Sequence, residues 1–265
     1  MAIIRRSLQP GVIAASCLLL AACASGPSPT ISLIPERTED VTSKDGLFTQ
    51  AVKWKKTKPG CKGDCPTLEV DSLVFPGIPK LTELVDHALA MMTGIQGSEP
   101  PAFLDIAEFE TYFWKTAAAK DSTLLAAKAR YRNKDLTVIE LNSWQYYTGA
   151  AHGISATQFL NWRNSTGRVL GLDDVLRPGQ REAYTAALRQ AHQTWLASNT
   201  DAQADPENYR RLWPFQESEN FAFTDHGLVV KYDSYAIAPY SWGQPELTIP
   251  YSALRSALRP EFLPG

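Results

Sequence analysis

Residues 124–132 and 136–147 read as a hairpin-like pair of strands. Leu136, Val138, Glu140, Asn142, Trp144 and Tyr146 fall on one face, and Thr137, Ile139, Leu141, Ser143, Gln145 and Tyr147 on the other. Successive side chains of a β-strand point to opposite faces, which divides the run in this way. The triplet Asn133-Lys134-Asp135 is turn chemistry and joins that strand to an earlier one over residues 124–132. Beyond Tyr147 the run Gly149-Ala150-Ala151-His152-Gly153 interrupts the pattern, which resumes over residues 154–164 before the turn Ser165-Thr166-Gly167-Arg168. Antiparallel hairpins are the economical way to connect strands through loops this short.

The flanking regions add helices in separate groups. Upstream, Phe48, Gln50, Val52 and Trp54 recur at period two, and residues 67–75 read as a second strand stopped by Pro76-Gly77. Leu81, Leu84, Val85, Ala88, Leu89 and Met92 then recur at helical spacing up to Gly94, and Phe103, Ile106, Phe109 and Phe113 mark a second helix to about residue 118. Downstream, residues 172–176 allow one helical turn. Residues 179–199 form the longest helical pattern, with Tyr184, Leu188, Ala191 and Trp195 on one stripe. Residues 200–219 are polar and read as loop. Strands at 220–224 and 228–235 flank Asp225-His226-Gly227, a strand covers 246–251, and a closing helix runs over 251–258. Elements segregated in this way predict an α+β fold of mostly antiparallel sheet with packed helices, not a doubly wound parallel sheet.

The N-terminus predicts export. Arg5 and Arg6 precede an apolar stretch from Val12 to Ala22, too short for a stable span of about 20 residues, and it closes in Leu20-Ala21-Ala22-Cys23. This is the lipobox pattern, in which residues 1–22 are removed and the Cys23 thiol is acylated to anchor the mature chain to a membrane. Ala24, in place of Asp, fits outer-membrane sorting and a periplasm-facing lipoprotein. Residues 23–44, rich in Ser, Pro and Thr, read as a flexible tether. Loss of both arginines makes the formal charge of −2 more negative still, and no basic stripe with interleaved aromatics exists. Nucleic acid is excluded as a partner on those grounds.

Of the remaining cysteines, Cys61 and Cys65 lie in Gly60-Cys61-Lys62-Gly63-Asp64-Cys65-Pro66. In an exported chain this spacing predicts a local disulfide. Zinc would need two more ligands, and a redox pair is usually C-x-x-C. His87, His152, His192 and His226 form no metal-binding spacing. His87 and His192 fall within helices, at the core edge or surface, and His226 in a turn. Gly153-Ile154-Ser155-Ala156-Thr157 lacks the second glycine of a hydrolase elbow. No phosphate-binding glycine loop occurs, and acids such as Glu140, Asp173 and Asp174 do not by themselves nominate a catalyst. No cofactor, metal or catalytic residue is expected. Two segments stand out. One is Tyr146-Tyr147-Thr148-Gly149-Ala150-Ala151-His152-Gly153, whose glycines imply positive φ or a close approach of another chain segment. The other is Tyr235-Ala236-Ile237-Ala238-Pro239-Tyr240-Ser241-Trp242-Gly243. Aromatics there either cap the sheet ends or contact a ligand; Tyr146, Tyr147, His152, Tyr240 and Trp242 are the candidate binding residues.

These segments carry a resemblance. Tyr146 to Gly153, the stretch from Phe159 through Gly167-Arg168-Val169-Leu170-Gly171-Leu172-Asp173-Asp174-Val175-Leu176, residues 221–240, and Gly243 through Ile249-Pro250-Tyr251 together resemble the RsiV-like family of bacterial extracytoplasmic domains. That family is named for an anti-sigma factor whose outer domain binds lysozyme. The resemblance covers roughly residues 136–258, and the part before it is similar to the companion N-terminal module. It implies two interlocked α+β modules, over residues 45–135 and 136–265, without catalysis of their own. Related modules accompany a peptidoglycan deacetylase domain, but no Asp/His/His metal set is visible here. A lipobox replaces the membrane span of the sensor. The expectation is a lipid-anchored periplasmic protein that binds a lysozyme-type muramidase or peptidoglycan; the rival is an envelope enzyme or accessory protein acting on peptidoglycan glycan.

Overall fold

The strand at residues 136–146 lies at the centre of the molecule and serves two cores at once. The computed structural model describes residues 48–94 and 102–264; the expected signal, Cys23 and the tether lie outside these. A six-stranded sheet runs in the order β1 (Gln50–Thr57), β2 (Thr67–Val74), β3 (Ser122–Arg132), β4 (Leu136–Tyr146), β5 (Ile154–Arg163) and β6 (Arg168–Val169). Every neighbouring pair is antiparallel except β2 and β3. The chain between those two makes a crossover through α1 (Pro79–Met91) and α2 (Ile106–Thr116), the connection that parallel strands demand. The Cys61–Cys65 disulfide closes the turn between β1 and β2, so neither sulfur is a free thiolate.

On one face of this sheet, α1 contributes Leu81, Val85 and Leu89 and α2 contributes Ile106, Phe109 and Phe113. They pack on Leu125, Ile139, Leu141, Leu160 and Trp162 of the strands. Local chemistry starts both helices. Pro79 opens α1 where a backbone N–H would be spare, and the Asp105 carboxylate accepts from the Glu108 N–H at 2.7 Å to cap α2.

On the other face, Leu136, Val138 and Phe159 meet a second core. It is built from α3 (Leu172–Val175), α4 (Arg181–Ser198), α7 (Tyr251–Leu254) and a three-stranded antiparallel sheet, β7 (Phe221–Phe223), β8 (Gly227–Lys231) and β9 (Glu246–Pro250). Residues 136–141 are therefore buried on both faces. The fold is α+β and mostly antiparallel, as the pattern predicted. The expected module boundary after residue 135 falls in the β3–β4 turn, inside one continuous sheet.

Two sets of polar contacts join the sheets. The Glu140 carboxylate in β4, about 1% exposed, is paired with Lys231 in β8, with Arg130 at 3.0 Å and with Lys128 at 3.2 Å. Arg130 continues to Glu246 in β9 at 2.6 Å. Burial alone would push the Glu140 carboxyl up; the Lys231 ammonium, then Asn142 and Lys128, overcome that and hold it at about 2. The second set covers the outer edge of β5. Asn220 accepts from the Phe159 N–H at 2.8 Å and donates to the Thr157 carbonyl at 3.0 Å and the Lys231 carbonyl at 3.1 Å. Asp233 accepts from the Thr157 N–H at 2.8 Å, and Asn161 donates to the Phe221 carbonyl at 2.8 Å. Side chains thus satisfy an edge that a further strand would otherwise pair.

Three local readings change. Residues 200–219 carry two short helices, α5 (Thr200–Ala204) and α6 (Pro206–Leu212), capped by Asn199 and Asp205. The strand expected over 228–235 ends at Lys231, and the chain then turns, with the Ala236 N–H donating to the Asp233 carbonyl and Tyr235 at a φ of 71°. His192 is buried rather than at an edge, at 3% exposure.

Replacing Glu140 with Gln takes the nearer counter-charge from Lys231, leaving only Glu246 at 3.5 Å, and should cost about 3 kcal/mol in urea denaturation at pH 7. Because the folded carboxyl sits below its ordinary value of 4.5, this stabilisation is complete above that value. It is lost as pH falls through about 2, so the gap between wild type and variant should narrow on acidification. Asp86 has the opposite sign. It accepts from the Ile106 N–H, and burial, with Asp105 adding, pushes its carboxyl from 3.8 to about 6. Stability from this group is full below 3.8 and declines as pH rises through 6. Asp86→Asn should therefore stabilise the protein at pH 7.5 by about 1–2 kcal/mol, allowing for partial solvent screening, and have little effect at pH 4.

Candidate functional site

The small sheet places the 232–243 loop above the turn between β4 and β5, and the two segments singled out in the sequence meet there. The turn leaves β4 with Gly149 at a φ of 93° and enters β5 through Gly153. A Cβ on Gly153 would stand 2.3 Å from the Trp144 indole, so the close approach inferred from this glycine is that of a side chain in the same hairpin. Between these glycines His152 projects towards the 232–243 loop. Its Nδ1 is 2.9 Å from the Gly153 carbonyl oxygen and its Nε2 is 2.9 Å from the Tyr235 hydroxyl. A carbonyl only accepts, so in the neutral ring Nδ1–H donates to it and Nε2 accepts from Tyr235.

Stacking completes the cluster. The His152 ring lies over Tyr240 with centroids 4.0 Å apart and planes 23° from parallel. Tyr235 is 5.6 Å from Tyr240 and stacks at 6.2 Å on Trp213, which follows α6. Tyr240 and Trp242 belong to one 3-10 turn. Trp242 faces the helices: its indole N–H donates to Asp201 of α5 at 2.7 Å, and its ring meets Trp195 of α4 edge-on at 5.8 Å. Behind Trp195 lies His192, whose Nε2 is buried without a partner. Burial pushes His192 down, with Arg189 adding to the effect. Tyr235 is the exposed ring of this assembly, at 47%, and His152, Trp213, Tyr240 and Trp242 are half-buried.

Of the five candidate residues, the structure joins His152 to Tyr240 directly and sets Trp242 beside them. Tyr146 and Tyr147 point elsewhere: Tyr146 stacks on Trp144 at 6.5 Å, and burial, with Asp121 and Tyr112 adding, pushes the Tyr147 phenol up. Four participants were missed: Tyr235, Trp213, Trp195 and Asp201. Tyr235 stood inside the quoted segment, but its left-handed backbone has no sequence mark. Trp213 and Asp201 belonged to the stretch read as loop, where Asn199, Asp205 and Pro206 were legible helix-start signals.

Both nitrogens of His152 are engaged by neutral groups. Among the described residues no group of three or more His, Cys, Asp or Glu is placed to hold a metal ion. Aromatic faces with phenol and indole edges offer stacking and hydrogen bonding to a guest.

The comparisons with known proteins bear on family. A crystal structure of a DUF3298 family protein from Pseudomonas aeruginosa PAO1 is 37% identical and aligns over 83% of this chain and 97% of that one, with a TM-score of 0.75. This chain belongs to the DUF3298 family. The family description, protein of unknown function (DUF3298), matches residues 173–252. A DUF3298 member from Bacteroides fragilis NCTC 9343 shares the fold at 23% identity and a TM-score of 0.62, over 80% of this chain and 94% of that one. No curated protein matches the chain. The family match spans α4 to β9, which carry Trp195, Trp213, Tyr235, Tyr240 and Trp242.

Gly153→Ala should displace Trp144 from the hairpin. We expect a loss of about 1–3 kcal/mol and a red-shifted tryptophan emission; unchanged fluorescence and stability would show that the indole does not rest on this glycine.

Proposed function

We propose that this chain is a lipid-anchored protein of the cell envelope, exported through residues 1–22, acylated at Cys23 and held at the outer membrane facing the periplasm. It acts by binding, not catalysis. Its partner is a peptidoglycan-cleaving enzyme of the lysozyme type, and the docking surface is the aromatic face around His152, Tyr235 and Tyr240. The observation that carries this reading is the convergence of two sequence-distant loops into one partly exposed aromatic cluster, with Tyr235 outermost, backed by fixed hydrogen bonds. Aromatic side chains are the residues from which protein contacts draw most of their energy. The RsiV-like resemblance of residues 136–258 supports the choice of partner, and the acidic balance of the chain suits a basic one. No described helix is long and apolar enough to cross a membrane, and the proposed attachment is by acyl chains alone.

The mature protein should slow a muramidase turbidity assay at near-stoichiometric amounts and co-elute with the enzyme on gel filtration. Tyr240→Ala and Trp242→Ala should each weaken the complex about tenfold or more, a loss of roughly 1.4 kcal/mol, with a smaller effect on thermal stability. Absence of inhibition together with absence of a complex would refute the reading. Release of soluble fragments from cell-wall sacculi by the protein alone would establish the enzymatic alternative.

A further inference from the structure

Beside Tyr235 an open cleft of about 440 Å³ runs between the segment 216–220 and the chain leaving β8. Most polar groups along it are already committed. The Lys231 ammonium is neutralised by Glu140 and, at 3.5 Å, by Glu246. Asn220 spends its amide on Phe159, Thr157 and Lys231, and the Tyr232 hydroxyl donates to the Gln216 carbonyl at 2.7 Å. Two lining carboxylates differ in carrying no ion pair. Glu217 and Asp233 are both exposed, and among the described residues neither carboxylate has a Lys, Arg or His nitrogen within 4.0 Å. Asp233 uses one oxygen to accept from the Thr157 N–H at 2.8 Å, a bond that also fixes where the carboxylate stands. The third element of the cleft is the Tyr235 ring, nearly half exposed and held against Trp213 and Tyr240.

We infer that this cleft receives an arginine side chain of the docked protein. A planar guanidinium stacks on a tyrosine face while its forked donors reach a carboxylate, and arginine alone among side chains does both. A neutral sugar would use the aromatic wall and donate hydroxyls to the carboxylates but leave their two negative charges uncompensated, and an anionic one would be repelled. The inference deepens the docking reading above and rests on it for the identity of the partner, since it places a charged anchor at the edge of the same aromatic face.

The test uses the full mature protein and two probes. In an NMR titration, N-acetyl-arginine amide should shift the resonances of Tyr235 and Asp233 at millimolar concentration, while its uncharged citrulline counterpart and N-acetylglucosamine should not. The double variant Glu217→Gln, Asp233→Asn should lose the response; Asn at 233 keeps an acceptor for the Thr157 N–H, so the fold is retained. With a basic lysozyme as second probe, the double variant should bind about tenfold more weakly or worse and show a shallower salt dependence. No response to the arginine compound, an equal response in the double variant, or a response to the sugar in its place would overturn the assignment. So would lysozyme binding that the double variant leaves unchanged, although docking itself would then stand. If the arginine compound binds as described but no muramidase does, the cleft assignment holds and the choice of partner fails.

Discussion

The buried Glu140–Lys231 pair sets the relation between the two sheets. A carboxylate in the middle of a strand with cores on both faces loses most of its hydration, a cost of several kcal/mol that only close, well-placed cations offset. Those cations come from β3 and from β8, and Arg130 passes the linkage on to Glu246 in β9. Slipping β4 by one residue would turn Glu140 towards Ile106, Phe109 and the other apolar side chains of α1 and α2, while Ile139 and Leu141 would face the ion pairs. Register of the central strand and position of the small sheet are therefore decided together.

Everything in the aromatic site inherits that decision. The loop that carries Tyr235, Tyr240 and Trp242 leaves the small sheet directly after Lys231, and His152 leaves the large sheet at the end of β4. Asn220 and Asp233 tie the β5 edge to the same chain segment, so the two loops are fixed from both sides. The left-handed backbone of Tyr235 costs on the order of 1–2 kcal/mol, and what it returns within the chain is one hydrogen bond to His152 and stacking on two rings.

Much of the fold was written in local patterns. The turn triplet Asn133-Lys134-Asp135 and the extended run after it located the central strand, and the helical spacing of Leu81 to Met92 and of Tyr184 to Trp195 located α1 and α4, because a helix buried along one stripe leaves a period that survives in sequence. The double burial of β4 was not legible: Thr137 and Glu140 look like solvent-facing polar residues until the second core is known to cover them. The parallel pairing of β2 and β3 was equally hidden, since it depends on where a crossover returns. Of the site, the unusual composition of two loops was visible and their meeting was not. Contacts between His152 and residues some eighty positions away follow from the ion-pair network, which no short-range pattern encodes.

The central claim is that the molecule works through the face where these two loops meet. Hydrogen exchange measured by mass spectrometry on the mature protein, alone and with saturating lysozyme-type muramidase, tests it most directly. The account predicts slowed exchange in peptides covering 147–153, 213–220 and 232–243, with the α1–α2 face and the β1 edge unchanged. Protection confined to α1, α2 or β1, with the two aromatic loops exchanging as in the free protein, would contradict it.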